Sequence, residues 1–203
     1  MPKGLKYFIP VGLVLGLVGG GGYYILSSGF SARTPPGAIE AYVARRLRLA
    51  AIPRQASAMK NPVSLDKDVL AAARAHYADH CASCHANDGG GDTMIGRGLN
   101  PRPPDMRKSE TQELTDGALY YIITNGIRFT GMPAFGEKAD NPQDMDSWGL
   151  VHFIRHLPRI TPEELADMQS MNPRSPAEIR QEDELKRFLQ GEDINPIHGT
   201  HQH

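Results

Sequence analysis

Cys81-Ala82-Ser83-Cys84-His85 is the stretch of this chain with the clearest capacity for chemistry. Two thiols three positions apart can each add across a vinyl group of one haem, and a histidine directly after them can be carried to the iron as an axial ligand. The 203-residue chain has only two cysteines, and both lie here. A redox Cys-x-x-Cys would want a thioredoxin-like strand and helix with β-branched apolar runs nearby. The residues before Cys81, from Val69 to His80, read instead as a helix. A structural zinc site needs four ligands and would have to borrow His80 or His85. A disulfide between these two cysteines closes a loop too small to organise a fold.

Upstream, Ala73-x3-Tyr77-x3-Cys81 sets a small residue one turn before an aromatic. Together with the pentapeptide this resembles the class I monohaem cytochromes c, over about residues 66 to 158. That family usually has glycine at the small position, so Ala73 bears on how closely the first and last helices cross. The resemblance implies one covalent haem c, attached through Cys81 and Cys84, with His85 on the iron. Gly131-Met132-Pro133-Ala134-Phe135-Gly136 lies 47 residues after His85 and resembles the family's methionine loop, stiffened by Pro133 and bracketed by glycines. It implies Met132 as the second axial ligand. A thioether is a soft ligand that favours the reduced metal, so His/Met ligation raises the reduction potential. A loop methionine can also simply fill an apolar gap. The Gly-Met-Pro setting is what singles out Met132 among eight methionines. Its competitors are weaker. Met94 and Met106 fall in loops near the attachment site, and Met145 starts the last helix in an acidic run. His76 and His80 precede the motif, while His152 and His156 share one helix face four residues apart.

Four main helices must position these groups. The first runs from about Asp66 to His80 and delivers the motif. Residues 88 to 99, with Gly89-Gly90-Gly91, read as a surface loop. Asn100-Pro101-Arg102-Pro103-Pro104-Asp105 is too rich in proline for helix or central strand. One of its carbonyls could accept the ring N–H of His85 and raise that ligand's basicity, a role the family gives to a proline carbonyl. Thr115 caps a helix that ends at Asn125-Gly126, with Leu119, Ile122 and Ile123 toward the haem or its packing layer. The last core helix starts near Asp146 and stops at Pro158. Its Leu150 or Phe153 should meet Ala73 and Tyr77. Arg102, Arg107 and Arg128 are candidates to pair the haem propionates.

The ends of the chain carry separate signals. Lys3 and Lys6 precede an uncharged stretch from Tyr7 to Phe30, long enough to cross a hydrocarbon core as a helix. The run is long for a signal-peptide core and no Ala-x-Ala site follows, so an uncleaved anchor is expected, with the bulk of the chain outside the inner membrane. Residues 33 to 68 hold seven Lys/Arg against three Asp/Glu, and residues 161 to 203 hold four against nine. In the basic part, residues 38 to 51 read as a helix bearing Arg45, Arg46 and Arg48. It suits a membrane surface, a partner, or packing on the haem domain with its arginines in solvent. Beyond Pro158, Thr161-Pro162-Glu163-Glu164 and Ser175-Pro176-Ala177-Glu178 announce two further acidic helices, about 162 to 171 and 176 to 190. His198, His201 and His203 form a tail that could capture a labile metal.

The expected protein is all-α: an anchor (1–32), a linker with a basic helix (33–65), a haem domain (66–160) and an acidic extension (161–203). With both axial positions filled by protein, the iron has no vacancy for substrate. Single-electron transfer between redox partner proteins at the bacterial inner membrane follows, with the haem facing the periplasm and no enzymatic activity. Basic residues without interleaved aromatics give no sign of nucleic-acid binding. The alternatives are a cytochrome subunit of a larger oxidase or dehydrogenase, or a haem-based sensor or peroxidase.

Overall fold

The computed structural model describes residues 5–29, 31–136, 142–174 and 176–191, and every regular element among them is helical. Before the core come α1 (Leu5–Ser28), α2 (Ala38–Ala51) and the short α3 (Arg54–Ala58). The attachment segment is α4 (Lys67–His76), a π-helical turn (Tyr77–Cys81) and α5 (Ala82–His85), which run on without a break. Two short helices, α6 (Met94–Gly98) and α7 (Ser109–Gln112), lead to α8 (Asp116–Asn125). The chain then forms α9 (Met145–His156), a 3₁₀ turn (Leu157–Arg159), α10 (Pro162–Met171) and α11 (Pro176–Leu189).

Side-chain caps fix where the core helices begin. Asp66 accepts from the Val69 N–H at 2.8 Å and opens α4. Thr115 accepts from the Ala118 N–H at 3.1 Å and opens α8, while Asp144 accepts from the Ser147 N–H at 3.1 Å and opens α9. Each satisfies a backbone donor that the helix leaves free. Two expectations need correction. The first helix does not stop at His80 but carries the motif inside it. The loop from 88 to 99 contains α6, because Thr93 caps it by accepting from the Gly96 N–H at 2.8 Å. No apolar periodicity announces so short a helix.

The core lies where α4 crosses α9. Tyr77, Trp148, Leu150, Val151, Phe153 and Leu157 are all essentially inaccessible to solvent. The rings of Tyr77 and Phe153 lie 4.9 Å apart. Close approach is allowed from the α9 side: a Cβ built on Gly149 would stand 3.6 Å from the Cβ of Ala73. The small residue at the crossing on the first helix, Ala73, thus faces a glycine on the last one. Trp148 stacks on Tyr120 of α8 at 4.0 Å and donates its indole N–H to the Pro142 carbonyl at 3.1 Å. Arg155 of α9 donates to Asp116 and to the Gln112 and Leu114 carbonyls, which locks the start of α8.

The segment after α2 is strapped onto this core. Ser57 accepts from the Thr115 hydroxyl at 2.7 Å, Trp148 O accepts from Asn61 at 2.9 Å, and Val63 O pairs with the His152 ring at 2.8 Å. On the other side, α10 buries Met168 completely. Its Glu164 meets the His156 ring at 2.9 Å and Arg74 at 3.5 Å. Burial opposes ionisation of Glu164, but His156, the Thr161 N–H and Arg74 outweigh it and hold the carboxyl below its usual range. Helix α11 exposes Ile179, Leu185 and Phe188. Helix α1 contains Pro10–Ser27, a stretch long and apolar enough to cross a membrane. Lys3, Ser175 and the histidine tail at 198, 201 and 203 lie outside the described residues.

Candidate haem-binding site

The π-helical turn sets the aim of the attachment motif. Here the Ala82 N–H reaches back to the Tyr77 carbonyl, five residues away. Such a turn holds one residue more than an α-helical turn, so the faces before and after it are offset by roughly 100°. Tyr77 stays in the core while Cys81, Cys84 and His85 come to line a cavity. The end of α5 is then pinned. Ala86 takes a left-handed φ of 60°, and its carbonyl accepts from the Tyr77 hydroxyl at 3.1 Å. The glycine-rich segment folds back over this end: Gly91 N–H donates to His85 O at 2.8 Å, and the Thr93 hydroxyl donates to Cys84 O at 3.3 Å. A Cβ on Gly96 would stand 2.6 Å from Cys84 O, and one on Gly91 2.7 Å from Pro103 O. Only glycine lets these backbones meet, and the meeting brings Pro101, Pro103 and Pro104 along the cavity wall.

The opposite wall is the methionine loop, built on the C-terminus of α8. Ile127 N–H donates to Met132 O, Phe135 N–H to Ile123 O and Gly136 N–H to Thr124 O, each at 3.1 Å. The Thr130 hydroxyl donates to Ile127 O at 2.8 Å and accepts from Met132 N–H at 3.1 Å. Gly126, at φ 65° and ψ −168°, occupies a region essentially closed to other residues. A Cβ there would meet the Pro133 carbonyl carbon at 2.6 Å. Beside the loop, Phe129 holds φ 61° with its ring 93% exposed.

Cys81, Cys84, His85 and Met132 all line the same cavity, and its walls are mostly apolar, with Leu119, Ile122 and Ile123 among them. The space between the walls, open mouth included, is about 1230 Å³. Both cysteines are free thiols. Burial, reinforced by Cys84, pushes the Cys81 thiol up to about 12. A thiol so reluctant to ionise is a poor redox nucleophile, whereas a thioether carries no charge to desolvate. Burial lowers His85 to about 4, so its imidazole is neutral at neutral pH with a lone pair for a metal. Among the described residues no three His, Cys, Asp or Glu side chains gather as a metal cage, which leaves the zinc alternative without ligands. The donor set of two thiols, one imidazole and a thioether in an apolar slot fits a covalently held haem.

Three features depart from expectation. His85 Nδ1 is buried without a hydrogen-bond partner, so no proline carbonyl accepts from it. The Pro103 carbonyl is turned to Gly91 instead. Met106, weighed in sequence only as a competing iron ligand, is buried on the cavity wall. Of the arginines offered to the propionates, Arg107 is committed to Asp88 at 2.6 Å and Asp105 at 2.8 Å and stands off the wall, as does Arg128. Arg102 does line it, together with Arg48 of α2, which no local pattern announces.

With this geometry in place, the comparisons with known proteins are specific. Residues 68–154 match the family model described as cytochrome C oxidase, cbb3-type, subunit III. No curated protein matches the chain. The matched span begins in α4 and ends in α9, so it contains both walls of the cavity.

Proposed function

We propose that this chain is a membrane-anchored monohaem carrier of single electrons, built on a c-type cytochrome domain within the family-matched residues 68–154, with the haem held by Cys81, Cys84, His85 and Met132. What supports it is the convergence of those four side chains on one apolar cavity. Bound there, haem supplies a one-electron iron couple. Cys81 and Cys84 would hold it covalently through their sulfurs, and neutral His85 and the Met132 sulfur would be the iron's protein ligands. The apolar walls and the tied methionine loop exclude water and resist rearrangement. With two protein ligands the iron would offer a substrate no free place, which favours a carrier over an enzyme. Lys3 and Lys6 ahead of an apolar span at Pro10–Ser27 support a single-pass anchor in a bacterial inner membrane, with the haem domain on the periplasmic side.

A second version is favoured by the family description itself, which names an oxidase subunit. In it the chain passes electrons inside a larger membrane complex. Purification in mild detergent separates the two, since a subunit elutes with its complex and a lone carrier alone. The carrier assignment itself is tested by spectroscopy of the purified protein. We expect covalent haem, a methionine-to-iron charge-transfer band in the oxidised form, and slow or no CO binding when reduced. A protein without covalent haem, or one whose reduced form takes CO readily, overturns it.

A further inference from the structure

We propose that Arg48, on helix α2 and outside the family-matched segment, is a haem-binding residue whose guanidinium pairs a haem carboxylate and so seats α2 on the mouth of the cavity. The inference rests on the haem assignment above. Arg48 lines the same cavity as His85 and Met132, and its Nε is buried without a hydrogen-bond partner. An arginine held against apolar walls with a donor unused is unfavourable unless an anion completes it. The acid beside it does not serve, because Glu110 is paired with Arg45 one turn earlier on α2. Burial and the Arg45 charge both weaken the hold of Arg48 on its proton, and Glu110 only partly offsets them. Glu110 also lines the wall, and the remaining ionisable side chains there are Arg102, a half-exposed His80 engaged with Asp79, Tyr77 and the attachment residues Cys81, Cys84 and His85. A haem brings two carboxylates, and the wall offers two arginines. Helix α2 buries none of its own residues, so apolar packing does not account for where it lies.

The test uses the full-length, haem-loaded protein. In Arg48→Gln, loss of a nearby positive charge should lower the haem reduction potential. The pH at which that potential inflects should rise by about one to three units, the range by which an opposite charge shifts an acid. Amide exchange in residues 38–51 should quicken, and Arg48→Lys should restore most of the potential. Arg46→Gln is the control, since Arg46 pairs with Tyr42 and does not line the cavity, and it should match the parent. In the unmodified protein, the Arg48 Nε–H should give nuclear Overhauser contacts to the propionate methylenes. Parent-like potential, inflection and exchange in haem-loaded Arg48→Gln overturn the inference. So does the absence of those contacts in the parent, which decides the matter even if the variant does not accumulate. A preparation lacking covalent haem instead brings down the haem assignment itself.

Discussion

Met132 and Met106 both line the cavity, and substitution distinguishes them. Met132→Ala should abolish the charge-transfer band, lower the potential and open the reduced iron to CO. Met106→Leu should retain all three properties and cost less than about 1.5 kcal/mol, as a volume-conserving core exchange. Gly126→Ala should destabilise the protein by about 1–3 kcal/mol, because its backbone region excludes a Cβ and the Pro133 carbonyl occupies the space. Chemical denaturation checks it, and the charge-transfer band should weaken alongside as the loop shifts. The residues legible in sequence, Cys81, Cys84, His85 and Met132, sit in short motifs whose spacing carries the signal. Arg48 and Met106 were not legible, because their places depend on how distant segments fold together.

At the level of elements, the start of α8 and the strap before α4 are the sensitive joint. A Cβ on Gly117 would collide with the Ala56 carbonyl oxygen, so Gly117→Ala should lift α3 from α8. Faster proteolysis within residues 53–60 and a lower melting temperature would report it. Gly149→Ala on α9 should be harmless by the same measurements, since its Cβ would only touch Ala73. The Glu164 contact gives α10 a pH dependence. Its carboxyl is held below the ordinary value of 4.5, so its contribution is complete above that pH and disappears as pH falls through the lower folded value. Glu164→Gln should flatten the acid limb of the stability curve. The caps at Thr115 and Thr161 could be read directly, because a cap is a local device. The π-helical turn could not: Tyr77 to Cys81 reads as ordinary helix, and nothing local marks the extra residue.

Across the whole molecule, the extension divides into two parts. Met168 is completely buried, so a chain cut after residue 160 should lose about 2–5 kcal/mol with that side chain, whereas a cut after residue 174 should leave stability unchanged. Thermal melts of the two truncations check this. Only the second is fit for asking what α11 contributes to partner binding. One contact at the other end reaches further. Asn100, next to the cavity-lining Pro101, donates to the Thr34 carbonyl at 3.0 Å. Between Ser28, where α1 ends, and Thr34 the backbone can extend at most roughly 20 Å. On the proposed anchor, the cavity mouth is leashed within that radius of the bilayer surface. Encounters with membrane partners then become a search in a thin sheet, where effective concentration replaces affinity as the determinant of how often electrons pass.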